Sequence, residues 1–132
     1  MTKKILLDPL VPRAKPAPFS MGVQVGDTIY VSGHVAQDAD GKVVGKGDMA
    51  AQTRQVFANI EAVLAEAGAT LEDVVKITTY ITDMSAYAAF SAVRAEMFPN
   101  AGMASATVAG AVLVSDDFLV EVEAIAVKGS DG

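Results

Sequence analysis

The chain has 132 residues, a length that suits one domain with a well-buried core and is too short for two. Acidic residues outnumber basic ones by 16 to 10, and the formal net charge of −6 makes nucleic acid an unfavourable partner. The absence of cysteine and the presence of a single histidine exclude disulfides, thiolate chemistry, cysteine metal sites and multi-histidine metal sites.

The sequence also argues against a membrane protein. Near the N-terminus, Asp8 and Pro9 interrupt the apolar residues before they reach the length of a signal peptide core, and no later stretch is long enough to span a bilayer. We therefore expect a soluble, cytoplasmic protein. The apolar fraction of 52% is slightly above the usual range for a soluble domain, which favours self-association.

The first third of the chain predicts three strands. Residues 4–7 form a short apolar run, which a proline-rich connector separates from the next strand. Residues 20–25 and 28–35 are predicted as two strands of a hairpin around Gly26 and Asp27. Period-two alternation gives the second of these strands one polar face, made of Thr28, Tyr30, Ser32 and His34.

Two helices follow in the middle of the chain, with a strand between them. The first is predicted to run from a cap at Asp48 to about residue 67, where Gly68 is placed to end it. A β-branched strand follows at residues 74–82. The second helix covers about residues 85–98. Its apolar stripe contains Tyr87, Phe90, Val93 or Arg94, and Met97.

The end of the chain predicts a closing pair of strands, at residues 103–114 and 118–127, around a polar turn. The last strand has one unbroken apolar face. Its other face places Glu121 and Glu123 about 7 Å apart between aliphatic neighbours. Such acids are either desolvated, which raises a carboxyl pKa and favours acid–base chemistry, or paired with Lys or Arg at an interface.

The element order is βββαβαββ, which indicates an α+β domain with both helices on one face of a single mixed sheet. We assign residues 1–132 to one domain. Residues 1–15 are its N-terminal strand and connector, and residues 129–132 are a flexible polar tail. The uncovered face of the sheet then needs a partner.

Three segments together resemble the Rid family, also called YjgF/YER057c/UK114. They are VSGHVAQ, AAQTRQVFANIEAVLAEAGATLEDVVKITTYITDM and the terminal LVEVEAIAV, and the resemblance covers residues 16–127. It implies a chorismate-mutase-like fold assembled as a homotrimer, with inward-facing sheets and sites in the clefts between subunits. It also implies hydrolysis of small reactive enamine or imine metabolites, without any cofactor, to a keto acid and ammonia.

The resemblance extends to single residues of the site. Glu121 matches the glutamate that positions or activates water, whereas Glu123 is expected to be structural. Phe19 falls where the family often has a site tyrosine, and Ser32 matches the serine of its SG segment. His34 falls where many relatives have glutamine. It is either a general acid or base or a histidine hydrogen-bonded within the trimer.

Two further residues are weaker candidates. Phe90 could wall an apolar pocket with Phe19, although an aromatic residue on a helix stripe is usually core. The family's carboxylate-binding arginine falls at Ser105, which is either a hydrogen-bond donor to substrate or a small packed residue. Serine cannot form a bidentate clamp, and no Arg or Lys occurs from Ala95 to Val127.

The chain therefore resembles an arginine-lacking branch of the family. Its substrates would either lack the usual carboxylate or bind it through backbone N–H groups. The alternative function is a non-catalytic trimer that binds a small metabolite. A ribonuclease is disfavoured by the net charge and by the lack of a His–His or His–Lys pair for cleavage.

Overall fold

The computed structural model describes residues 3–9, 18–100 and 102–131. Most of the proline-rich connector, predicted to be extended, lies outside these residues. The strands are β1 (Lys4–Leu7), β2 (Gly22–Val25), β3 (Thr28–His34), β4 (Val74–Ile81), β5 (Ala104–Ala109) and β6 (Val120–Val127). The helices are α1 (Met49–Glu66) and α2 (Tyr87–Met97).

The six strands form one mixed sheet in the order β1-β2-β3-β6-β4-β5. Strands β4 and β5 are parallel, and every other neighbouring pair is antiparallel. The helices α1 and α2 pack against each other and against one face of the sheet, which confirms the predicted α+β architecture. The opposite face carries no helix of the described chain, so side chains on that face are open to solvent or to a partner.

Helix α1 begins and ends where its sequence predicts. The Asp48 carboxylate accepts a hydrogen bond from the Ala51 N–H at 3.0 Å, which satisfies one donor of the first turn. Gly68, with φ of +75°, follows the last turn in a conformation that glycine adopts without strain. The apolar stripe is fully buried against the sheet, and it consists of Val56, Ile60, Val63 and Leu64.

Helix α2 starts after a short 3₁₀ turn at Met84–Ala86 and packs through aromatic rings. Phe90 is fully buried, with its ring centre 6.2 Å from that of Phe57. Phe57 also meets Phe98 edge to face at 5.0 Å. These rings join the two helices over the sheet, so Phe90 belongs to the core.

The predicted pairing of the last two strands is wrong. Strand β5 covers only Ala104–Ala109 and pairs in parallel with β4, while β6 lies between β3 and β4. Gly110 has a φ of +79° and ends β5. The apolar residues after it resembled a continuing strand, but Val112 and Val114 are 96% and 84% exposed. Helix α2 connects β4 to β5, as a parallel pair requires.

A β-bulge in β3 overturns a second prediction, that Ser32 and His34 share a face. Val31 lies opposite Ala124 and His34 lies opposite Val122, so the two residues between them on β3 oppose one residue of β6. After the extra residue, the side chains of β3 point to the opposite faces of the sheet from those that strict alternation predicts. His34 is therefore placed on the side of the sheet that carries the buried Val122.

The C-terminal segment predicted to be a tail makes specific contacts at residues 129 and 130. The buried Asp73 carboxylate accepts hydrogen bonds from the N–H groups of Gly129 and Ser130, each at 3.1 Å, and from Thr70 at 3.0 Å. These bonds hold the end of β6 against the turn before β4.

Among the residues that the structure describes, neither helix has the length and hydropathy needed to cross a bilayer.

Candidate active site

A cleft of about 520 Å³ lies on the face of the sheet opposite the helices. It is formed where β3, β6 and β4 run side by side, and the segment before β2 contributes Phe19 to its lining. The residues lining it are Phe19, Ser32, Gly33, Tyr80, Glu121 and Glu123. Three of the six predicted site residues, Phe19, Ser32 and Glu121, therefore meet in one place.

Glu121 is the half-buried acid of this cleft. It lies on β6 directly opposite Tyr80 of β4, on the helix-free face. Burial raises the pKa of Glu121 above its ordinary value, and the nearby Glu123 charge raises it further. Within the described chain no ion pair involves Glu121, and its pairing with Lys or Arg of another copy at an interface stays a prediction.

Glu123 is more exposed and has a different partner. Its carboxylate accepts a hydrogen bond from the Tyr80 hydroxyl at 3.3 Å. The Glu123 charge is also the main cause of the raised pKa of Tyr80, because a phenolate beside it would be repelled. Glu123 therefore acts on the cleft by holding Tyr80 and by adding negative charge near Glu121.

Ser32 fixes the segment that carries Phe19. Its hydroxyl donates to the Ser20 carbonyl at 2.6 Å, and its backbone N–H donates to the Met21 carbonyl at 2.9 Å. Phe19, which is 63% exposed, is thereby held at the edge of the cleft. Because the hydroxyl proton of Ser32 is already used, its oxygen is left to accept a hydrogen bond from a ligand.

Gly33 lets the Glu121 carboxyl group lie against the backbone of β3. A Cβ atom at residue 33 would lie 3.1 Å from Cδ and 3.2 Å from Oε1 of Glu121. We expect Gly33→Ala to displace the carboxyl group and to lower kcat/KM of the reaction catalysed in this cleft about tenfold. The melting temperature should change little, because the flexible Glu121 side chain can move aside. The loss should disappear when Gly33→Ala is made in a Glu121→Gln background. An equal loss in both backgrounds would contradict this role.

Comparisons with known proteins decide the family. The family model described as Endoribonuclease L-PSP matches residues 12–128. A RutC family protein of Pyrococcus abyssi is 39% identical over 128 residues, which cover 97% of this chain and 99% of the relative. A solved structure of a conserved Rid family protein from Yersinia pestis has 31% identity and a TM-score of 0.82, covering 95% of this chain and 99% of that one. The chain belongs to the Rid family.

A second solved structure agrees in fold and length. A crystal structure from Entamoeba histolytica, described as an endoribonuclease L-PSP, has 35% identity and a TM-score of 0.84. It covers 95% of this Rid chain and 99% of its own. The resemblance based on three sequence segments is thus confirmed at the level of the family.

The other predicted residues of this Rid protein lie outside the cleft. His34 is turned by the bulge to the side of Val122, and Phe90 is in the aromatic core. Ser105 is exposed on the edge strand β5, opposite the buried Ile77, which places it on the helix-covered side. Within one subunit, none of these three residues lines the cleft that contains Glu121.

Sequence reasoning missed Tyr80 and Gly33, both of which line the cleft beside its acids. Tyr80 appeared only as one residue of an alternating strand. The signal that identifies it is its register with Glu121, but that requires knowing that β4 pairs with β6. Gly33 lines the cleft because it lies in the bulge, and the alternation of residues along β3 does not reveal that bulge.

Within the described ranges, no group of three or more His, Asp or Glu side chains is placed to hold a metal ion. A larger cavity, of about 740 Å³, lies beyond the end of α2 and is lined by acids and by Met97, Phe98 and Met103. It contains none of the predicted site residues, so we place the candidate active site at Glu121.

Proposed function

We propose that this Rid family chain is a cofactor-free hydrolase of small imines and their enamine tautomers. The observation that carries the proposal is the position of Glu121 in a cleft that a small molecule can enter. Glu121 is half-buried there, and this burial raises the pKa of its carboxyl group. A carboxylate with a raised pKa is a stronger base, which suits the removal of a proton from water near neutral pH.

The proposed reaction adds water across a C=N bond. Glu121 accepts a hydrogen bond from water and removes its proton as the oxygen attacks the imine carbon. The protonated Glu121 then gives this proton to the nitrogen. Glu121 next removes the hydroxyl proton of the resulting amino alcohol and passes it to the nitrogen, and cleavage of the C–N bond then releases ammonia and leaves the carbonyl product. One water is consumed for each ammonia formed. An enamine substrate first takes up a proton at carbon to become the imine.

The cleft residues have defined parts in this proposal. Phe19 offers an apolar surface for the substrate, and the Ser32 oxygen can accept a hydrogen bond from its nitrogen. Gly33 allows the close approach of the Glu121 carboxyl group to the strand. Together they hold the imine carbon near the water that Glu121 activates.

We also propose that the protein is a homotrimer with its helix-free faces turned inward. Tyr30 and Val108 lie on that face by register and are 50% and 48% exposed. A second copy that covers them would bury apolar surface and exclude water from the cleft. The proposal predicts a trimer in sedimentation equilibrium, and a stable monomer would contradict it.

Two other functions receive less support. Ser105, at the position where the resemblance implies an arginine, favours a trimer that binds a metabolite without chemistry. The name of the family model points to RNA cleavage. Against this, the cleft is lined by Glu121 and Glu123 and, among the described residues, by no basic side chain. These acids repel a phosphodiester.

A screen with imines generated in situ tests the proposed function. An amino-acid oxidase generates imines from individual amino acids, and release of ammonia is followed with and without the protein. Acceleration that is proportional to protein concentration and continues for many turnovers per site supports hydrolysis. A metabolite that binds in calorimetry, with no acceleration for any imine, would support the binding protein instead.

A further inference from the structure

Arg94 is a half-buried cation surrounded by hydroxyl groups and aromatic rings. Its Nη1 donates to the Ser105 hydroxyl at 3.0 Å, and its Nη2 donates to the hydroxyls of Tyr87 at 2.9 Å and Ser91 at 3.2 Å. The guanidinium carbon lies 5.1 Å from the ring centre of Phe90 and 5.7 Å from that of Tyr87. These contacts fix the orientation of the guanidinium group at the outer edge of the sheet.

No acid neutralises this cation within the described part of the chain. The ion pairs found there join Lys46 to Asp117 and Arg54 to Glu96. Acids are in excess over the full sequence, 16 against 10 basic residues, yet among residues 3–9, 18–100 and 102–131 none forms an ion pair with Arg94. A partly desolvated charge without a counter-ion costs free energy. Arg94 lies in the last turn of α2, and the partial negative charge of a helix C-terminus offsets part of this cost. The offset is incomplete, because that charge is only about half an elementary charge.

The groups around Arg94 have hydrogen-bond donors to spare. The oxygens of Ser105 and Tyr87 accept from Arg94, so these bonds do not use their own O–H protons. The guanidinium group also has more N–H donors than the three hydroxyls occupy. Ser105 is exposed on β5, the edge strand of the sheet. Several donors therefore converge where a ligand can reach them from solvent.

We propose that Arg94, with the hydroxyls of Ser105 and Tyr87, binds the carboxylate group of a small organic anion. A carboxylate accepts hydrogen bonds through both oxygens, and the planar fork of a guanidinium group matches this geometry. The anion supplies the negative charge that the described residues do not place at Arg94. The positive field there is also evident at Tyr87, since its hydrogen bond from Arg94 and the Arg94 charge lower the pKa of the phenol.

The anion site and the Glu121 cleft lie on opposite sides of the sheet in one subunit. Ser105 lies opposite the core residue Ile77, whereas Glu121 lies opposite Tyr80 on the helix-free face. One ligand can reach both only if a second copy brings its β5 edge to the cleft. The use of this site in turnover therefore rests on the proposed function, but binding of an anion to it does not.

Arginine side-chain NMR gives a direct test, because the chain has only three arginines, Arg13, Arg54 and Arg94. The Nε–H signal of Arg94 is assigned by its loss in Arg94→Gln. Pyruvate and its neutral counterpart pyruvamide are then titrated into the full-length protein. We expect the Arg94 signal to shift in a saturable way with pyruvate and to stay in place with pyruvamide.

Matched variants separate binding from folding. Arg94→Gln should weaken pyruvate binding about tenfold or more, because it removes a charge-assisted pair of hydrogen bonds. Ser105→Ala, at an exposed position, should weaken it about fivefold. Arg54→Gln removes the same charge from the ion pair with Glu96 and should leave binding unchanged. Equal effects of Arg54→Gln and Arg94→Gln, or an unshifted Arg94 signal throughout the titration, would overturn the proposal.

A third variant distinguishes failure of this site from failure of the proposed function. Glu121→Gln should lower turnover by about 100-fold or more and retain pyruvate binding at Arg94. If pyruvate binds as expected but no imine is hydrolysed by the wild type, the anion site stands and the hydrolase proposal fails. If imines are hydrolysed and the Arg94 signal does not respond to pyruvate, the anion site fails alone.

Discussion

Glu121→Gln should lower imine turnover by about 100-fold or more, because glutamine cannot take the proton from the attacking water. The substitution preserves the size of the side chain, so the cleft and the bound substrate keep their positions. Most of the loss should therefore appear in kcat, with a small change in KM. The measurement is steady-state ammonia release with the best imine found for the wild type.

Stability provides the control for this variant. Burial raises the pKa of Glu121, so the carboxyl group ionises at lower pH in the unfolded chain than in the folded one. Folding therefore loses stability as pH rises from below the unfolded-state pKa through the folded-state pKa. A glutamine does not ionise, and Glu121→Gln should be at least as stable as the wild type at neutral pH. If Glu121→Gln is inactive because it is unfolded, its inactivity does not support the mechanism. If Glu121→Gln is folded and keeps the activity of the wild type, the mechanism is refuted.

Gln52→Ala should destabilise the protein by about 2–4 kcal/mol, the largest effect on stability that we expect from a single polar side chain. Gln52 is fully buried in α1. Its amide nitrogen donates to the carbonyls of Gly45 at 3.2 Å and Asp117 at 2.8 Å, and its oxygen accepts from the Leu119 N–H at 2.8 Å. Alanine leaves these backbone groups unsatisfied and creates a cavity.

Gln55→Ala is the matched control for Gln52→Ala. Gln55 is on the same helix, is only partly buried and makes one side-chain hydrogen bond, to Asn59 at 2.8 Å. We expect it to cost less than about 1 kcal/mol. Both variants are compared by urea unfolding at one protein concentration, since an oligomer's stability depends on concentration. Similar losses for the two would show that the bonds from Gln52 to the segment entering β6 contribute little.

Local patterns in the sequence predicted most of the fold correctly. Asp48 and Gly68 mark the ends of α1 because a carboxylate cap and a left-handed glycine act within one turn of the helix. The alternation of β6 placed Glu121 on the face opposite the core because each strand residue points away from its neighbours. Such signals need no knowledge of which elements pair.

The errors arose where pairing decides the outcome. The bulge that moves His34 depends on how β3 meets β6, and alternation along β3 alone cannot show it. The parallel partner of β5 depends on α2 crossing the sheet between β4 and β5. The sequence pattern placed Arg94 only as a candidate for the stripe of the second helix. It lies one position before the segment that has no cation, and it reaches Ser105 from the helix.

The most direct test of the account is the pH dependence of imine turnover in Glu123→Gln. The account holds that Glu121 acts as a base and that the charge of Glu123 helps to raise its pKa. In the wild type, kcat/KM should fall with decreasing pH at a midpoint above the ordinary glutamate value. In Glu123→Gln this midpoint should move to lower pH while the plateau activity is kept. A midpoint that stays in place, or the same acid limb in Glu121→Gln, would contradict the account.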